Sequence, residues 1–494
     1  MKVGFDNALY IAKQTEHIRE RIARFEGKLY LEFGGKLFDD YHASRVLPGF
    51  DVNGKVKLLA AMKEESEIIM CISAASIEQN KVRADLGITY DMDVLRLIDN
   101  LRALGISINS VVITQFSDQP AAENFRNRLE MLGIRTYIHR LTKGYPTDVA
   151  TIISPEGYGA NPYIETTKPL VVVTAPGPGS GKLATCLSQL YHENLRGVKA
   201  GYAKFETFPI WNLPLKHPVN LAYEAATADL NDVNMIDPYH LEAYGETTVN
   251  YNRDIEIFPV VKTILARITG KPDTYRSPTD MGVNMAGYAI TDDEVCCEAS
   301  RQEVIRRYFR AKCDAKAGNV SAEVPARIEV TMQQLGIMEG DRAVTIAARE
   351  TQKASERPSA AIQLSDGRIV CGRLSDLLTA PASALLNAVK AIAGLADPIH
   401  LLSPLVLEPI LRMKKENLHL KSVRLNTEEV LIALSICGAT NPTVELAMAQ
   451  LPKLADCEAH STVVLGAADE SAYRRLGIHL TCDPNYISKD LYYV

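Results

Sequence analysis

The stretch from Pro169 to Cys186 reads PLVVVTAPGPGSGKLATC, and its three parts decide the fold. Leu170 to Val173 form an apolar, β-branched run suited to a strand buried on both faces. The run empties into Gly177, Gly179 and Gly181, with Lys182 directly behind them. Beyond Lys182 the apolar residues Leu183, Leu187, Leu190 and Tyr191 recur at helical spacing, so the loop opens a helix whose first amides point back at it. Glycines let a backbone wrap an anion, a helix N-terminus adds partial positive charge, and a lysine ammonium supplies a full one. This arrangement suits phosphate binding, with Gly177, Gly179, Ser180, Gly181, Lys182 and Thr185 as the expected contacts.

The pattern approaches the P-loop signature G-x-x-x-x-G-K-[ST] but departs from it at both ends. Pro176 stands where the first glycine belongs, and Leu183 stands where the metal-binding hydroxyl belongs. Thr185 or Ser180 would have to supply that hydroxyl, or the metal is held differently. ATP or another nucleotide with magnesium is one expected cofactor, and a small phosphorylated ligand without a nucleotide is the other. No apolar strand ending in an acid stands out downstream as a metal-holding partner, although Asp229 in EAATADLND is a candidate.

Strands and helices alternate ahead of this loop. Residues 8–26 read as an amphipathic, heavily charged helix, and KLYLEFGGKL from Lys28 reads as a strand breaking at Gly34 and Gly35. EIIMCISAAS, SVVITQFSDQ and TYIHRL supply three further strands, with helices in DMDVLRLIDNLRALG and AAENFRNRLEMLG between them. The pattern predicts an α/β fold, a doubly wound and mostly parallel sheet carrying the P-loop-like strand–loop–helix. Ligands of such sheets sit at the carboxyl ends of the strands. Here those ends are Gly34–Lys36, Ser73–Ser76, Gln115–Asp118 and the Gly177–Lys182 loop.

At 494 residues the chain is too long for one core, and three regions are expected: a Rossmann-like domain with the phosphate-binding loop over 1–200, an irregular substrate-wall or lid region with helices packed on it over 201–324 and a second α/β domain over 325–494. Within 201–324, periodicity weakens while aromatic, proline and polar residues crowd together, as in a functional loop system. His217, Asp229, Asp232 and His240 are its first candidates for acid–base or metal duty, acting with Lys182. In the last region PSAAIQLSDGRIVCGRLS signals a hairpin turning at Asp366-Gly367, followed by four helices and the strand HSTVVLG.

With 47% apolar and 23% charged residues the composition is that of an ordinary globular protein. A net charge of -6 and dispersed basic residues argue against nucleic acid. The charged N-terminus lacks the apolar core of a signal peptide, and no apolar run approaches the roughly 18–20 residues of a membrane span. A cytoplasmic protein with no membrane partner, assembled as a homo-oligomer, is expected. The 9 cysteines are an odd number and scattered, which suits reduced thiols. Cys457-x-x-His460 and His479-x-x-Cys482 imitate a zinc site, and strand alternation, which could separate the four side chains, is the reading against it. Peptidase chemistry has no support: H-E-x-x-H is absent, and Ser180 is not in a G-x-S-x-G elbow.

The stretches VVVTAPGPGSGKLATCLSQLYHE, GYAKFETFPIWNLPLKHPVNLAYEAATADLNDVNMIDPYHLEAYGE and SPTDMGVNMAG, with HLTCDPNY near the end, resemble a family of large bacterial proteins of uncharacterised function. The likeness covers essentially the whole chain. Some relatives carry the label ATP-dependent peptidase, which the motifs above do not support. The resemblance brings no catalytic residues with it. Two readings therefore stand: an enzyme binding a nucleotide or another phosphorylated small molecule, with phosphoryl-transfer or phosphate-ester chemistry, and a non-catalytic phosphometabolite-binding or assembly protein.

Overall fold

In the computed structural model, which describes residues 2–83 and 86–487, the apolar runs form seven parallel strands of one sheet. They are β1 (Leu29–Phe33), β2 (Ser66–Ser73), β3 (Ile108–Thr114), β4 (Thr136–Ile138), β5 (Leu170–Thr174), β6 (Gly201–Phe205) and β7 (Gly282–Val283), in the spatial order β7-β6-β1-β5-β2-β3-β4. Every residue of β1, β2 and β5 is buried, as expected where helices cover both faces. The sheet runs past residue 200, because β6 and β7 come from the stretch read as irregular.

The order sets the switch point of the sheet. From β2 the chain winds outward through β3 and β4; from β5 it winds the other way, through β6 to β7. Neighbouring strands β5 and β2 thus send their connections in opposite directions, which makes their carboxyl ends the topological switch point of the sheet. The Gly177–Lys182 loop leaves β5 at that point. Helix α1 (Asn7–Arg24) precedes the sheet, and α2 (Tyr90–Ala103) and α3 (Pro120–Met131) lie between its strands in the chain. One face carries Tyr30, Ile69, Cys71, Val171, Val173 and Tyr202, packed under α4 (Lys182–Leu195) and α5 (Asn252–Thr269) through Leu187, Leu190, Phe258 and Leu265.

The chain forms two compact units, Lys2–Ser300 and Arg301–Val494, and helix α6 (Asp293–Lys316) passes from one to the other. The second is also α/β. After α7 (Ala343–Ser355) come β8 (Ser359–Gln363), β9 (Ile369–Arg373), α8 (Ala380–Ala393), β10 (Glu458–Ser461) and β11 (His479–Cys482). The strand order is β9-β8-β10-β11, with β10 and β11 parallel and the other pairs antiparallel. The expected hairpin is β8–β9, turning at Asp366-Gly367 with Gly367 at φ 87°. Ala360, Ile362 and Ala459 face Leu385 and Val389 of α8, whereas Ala361 faces Val344 and Ala348 of α7.

Candidate functional site

The glycine loop is held by its neighbours at the carboxyl edge. Thr114, ending β3, donates through Oγ1 to the Ser180 carbonyl at 2.8 Å, and Gln115 Nε2 donates to the Gly179 carbonyl at 3.3 Å. Gly181 has φ +77°, and a Cβ there would lie 2.9 Å from the Thr114 side chain, so both the backbone conformation and the space demand glycine. Gly177 lies against the Tyr90 ring and has no room for a side chain. Gly181 is the N-cap of α4, and Lys182 opens the helix, half-buried. Among the described residues, neither a hydrogen bond nor an ion pair occupies its ammonium.

The two hydroxyls that could replace the missing P-loop residue are already engaged. Ser180 is buried, and its Oγ donates to the Gly177 carbonyl at 2.8 Å. Thr185 is buried, and its Oγ1 donates to the Gly181 carbonyl at 3.0 Å with the Cys71 thiol 3.5 Å away. Both hydroxyls stabilise the loop's own backbone.

A dense cluster of charged-type side chains lies at the carboxyl ends of β1 and β6, on the sheet face that α4 and α5 cover. Glu32 and Lys204 are register partners, so their side chains share that face. Lys204 Nζ contacts Glu206 Oε1 at 2.7 Å, the Tyr251 hydroxyl at 2.9 Å and the Asp254 carboxylate. Tyr251 donates its hydroxyl to Glu206, and Tyr202 donates to Glu32 at 2.8 Å. Burial pushes the Glu206 carboxyl up to about 7, against the pull of Lys204, because removing a carboxylate from water costs more here than one neighbouring cation returns. The cations and acids of this cluster and the loop sense common groups: the Cys71 and Cys186 thiols feel both Lys182 and Glu32.

Of the four candidates from residues 201–324, Asp232 lies at the edge of this cluster, where it feels Asp254 and Lys204, and the other three lie elsewhere. Asp229 is exposed on a single 3-10 turn, Ala228–Leu230. Asp232 is buried and answers Arg253, with Nε to Oδ1 at 2.6 Å and Nη2 to Oδ2 at 2.7 Å. His240 places Nδ1 2.9 Å from Ser277 Oγ, ahead of β7 and so away from that strand's carboxyl end. His217 N-caps the helix Pro218–Ala226 and turns Nε2 toward Asp293 and Cys297. Glu32, Lys204, Glu206, Tyr251 and Asp254 come from separate segments of the chain, and no spacing in the sequence joins them into a set. A signal existed in LYLEF and GYAKFE, where a charge interrupts a buried strand just before its end.

The soft ligand pairs of the second unit separate as alternation requires. Glu458 pairs with His479 and Ser461 with Cys482, which puts His460 and His479 on one face and Cys457 and Cys482 on the other.

A seven-stranded parallel sheet flanked by helices, followed by a second, mixed sheet, defines a two-unit α/β protein. Within that class the chain belongs to the DUF1846 family. "Domain of unknown function DUF1846, N-terminal" matches residues 3–336, and "Domain of unknown function DUF1846, C-terminal" matches residues 340–492. Relatives called UPF0371 protein occur in Clostridium botulinum. That of strain Langeland is 58% identical and that of strain Alaska E43 is 56% identical, each over 501 aligned positions covering 100% of both chains.

Proposed function

We propose that the chain is an enzyme acting on a phosphorylated small molecule, a nucleotide being one such ligand, whose phosphate is held by the Gly177–Lys182 loop. The carrying observation is the half-buried ammonium of Lys182 at the switch point, without a hydrogen bond or ion pair among the described residues, on the helix that covers the sheet face of Glu32 and Lys204. The loop amides and Lys182 neutralise phosphate charge, which anchors the substrate or stabilises phosphoryl transfer. Glu206, protonated or ionised near neutral pH, is suited to general acid–base work. The engaged hydroxyls of Ser180 and Thr185 favour phosphate held through amides and lysine over a hydroxyl-held magnesium of the P-loop kind.

The test is a thermal-shift screen of the full chain against ATP, GTP, phosphosugars and inorganic phosphate, each with and without magnesium. A ligand at about 100 times its dissociation constant stabilises by roughly 2.7 kcal/mol, which is readily measured. Stabilisation by one of these ligands, lost in Lys182→Ala while the unliganded midpoint is kept, is the expected result. A shift that survives Lys182→Ala, or none with any phosphate, overturns the assignment.

A further inference from the structure

His217, Asp293 and Cys297 bring three metal-ligating atoms together away from the glycine loop. His217 Nε2 lies 3.0 Å from Asp293 Oδ1 and 3.5 Å from Cys297 Sγ, and Cys297 Sγ lies 3.8 Å from Asp293 Oδ2. Zinc bonds of about 2.0–2.3 Å in tetrahedral directions give ligand-to-ligand edges of about 3.3–3.6 Å, so the three atoms already sit near three corners of such a site. The arrangement is fixed by secondary structure. Asp293 and Cys297 are four residues apart on α6 and share one helix face, and His217 is placed by its role as N-cap of Pro218–Ala226. His217 is buried, whereas 60% of the Asp293 side chain is exposed, so the remaining corner opens to solvent. Asp292 and Glu294, both exposed, flank Asp293 and make the local field favourable to a cation.

We infer that these three residues bind one zinc-class divalent cation through imidazole nitrogen, thiolate sulfur and carboxylate oxygen, with a water molecule in the fourth position. The donor set selects the metal: thiolate and imidazole exclude magnesium and calcium in favour of zinc or cobalt. Binding displaces the Cys297 thiol proton to solvent. The Val219 amide lies 3.3 Å from His217 Nδ1, so the neutral ring carries its proton on Nε2. Ligation moves that proton to Nδ1 and releases the long amide contact. The cost of that release makes the site exchangeable, unlike a closed structural zinc.

The full chain, stripped with chelator, is titrated with cobalt(II) and followed by absorption, since a thiolate on cobalt gives a charge-transfer band in the near ultraviolet. One equivalent with that band is expected. Cys297→Ser should abolish the band, and His217→Asn, which preserves an N-cap while removing Nε2, should weaken binding by more than about tenfold. Thermal unfolding of both variants without metal checks that they fold. Absence of stoichiometric binding, binding without the thiolate band, or a band that persists in folded Cys297→Ser overturns the inference.

Discussion

Glu206 is almost fully buried beside Lys204 and Tyr251, and its carboxyl is raised to about 7 from an ordinary value of 4.5. A carboxyl raised on folding holds its proton more tightly in the folded chain than in the unfolded one, so its contribution is complete at low pH. That contribution is lost as pH rises through the folded value. Glu206→Gln removes the titration while leaving Lys204 paired with Asp254. The variant should therefore gain stability relative to wild type between about pH 5 and pH 8, by on the order of 3 kcal/mol, from the linkage of 1.36 kcal/mol per pKa unit. Urea unfolding at several pH values measures the difference, and parallel pH profiles would remove Glu206 from its assigned state. Residues of this kind were the hardest to read from sequence. Lys182 stands out because glycines precede it, but Glu32, Glu206 and Asp254 come from segments far apart in the chain. Conversely Asp229 and Asp232, conspicuous in one acidic run, are an exposed turn residue and an arginine's partner.

Elements with a strong local signal were legible. The run LVVVT is β5, the glycines and Lys182 open α4, and Asp366-Gly367 turns a hairpin, because each depends on neighbouring residues alone. Strands β6 and β7 were not legible. GYAKF carries a lysine whose partners, Glu206, Tyr251 and Asp254, are mostly distant in the chain, and GV is too short to show any period. In the second unit a comparable element-scale device is Arg342, which is 1% exposed at the head of α7. Its Nη2 donates to the Ala459 carbonyl of β10 at 2.9 Å and to the His479 carbonyl of β11 at 2.7 Å, Nε donates to Thr481 Oγ1 at 3.1 Å, and Nη1 pairs with Glu458. One guanidinium thus ties a helix start to two strands. Arg342→Ala removes four of the hydrogen bonds that hold these strands, leaving Glu458 with Arg306 alone and the Ala459 carbonyl with Thr481 Oγ1 alone, and should cost about 3–5 kcal/mol, whereas Arg342→Lys, with one compact ammonium, should recover less than half of it. Unfolding in urea reads both, and a loss below about 1 kcal/mol for the alanine variant would show that the guanidinium does not tie the sheet.

At the scale of the whole molecule the family divides after residue 336, whereas packing divides the chain after Ser300. The difference has physical content, because the stretch between the two boundaries supplies parts of the second unit's interior. Phe309, fully buried on α6, packs against the His460 ring with centroids 4.8 Å apart. Arg306, on the same helix, bonds Glu303 at 2.8 Å and reaches Glu458 at 2.6 Å, so Glu458 receives two arginines. Ile328 and Met332 of the helix Glu323–Leu335 are buried as well. A fragment of residues 340–494 keeps all four strands and Arg342 but loses Phe309, Arg306 and both of these apolar side chains. Losing a buried aromatic alone costs about 3–5 kcal/mol. A fragment of residues 291–494 keeps every one of these contacts and should unfold cooperatively. For a domain of this size each kcal/mol moves the midpoint by about 2–4 °C, so the shorter fragment should melt about 10 °C lower or more, or lose its cooperative transition. Equal midpoints for the two fragments would show that residues 301–339 are dispensable to the second core and that its boundary lies where the family divides.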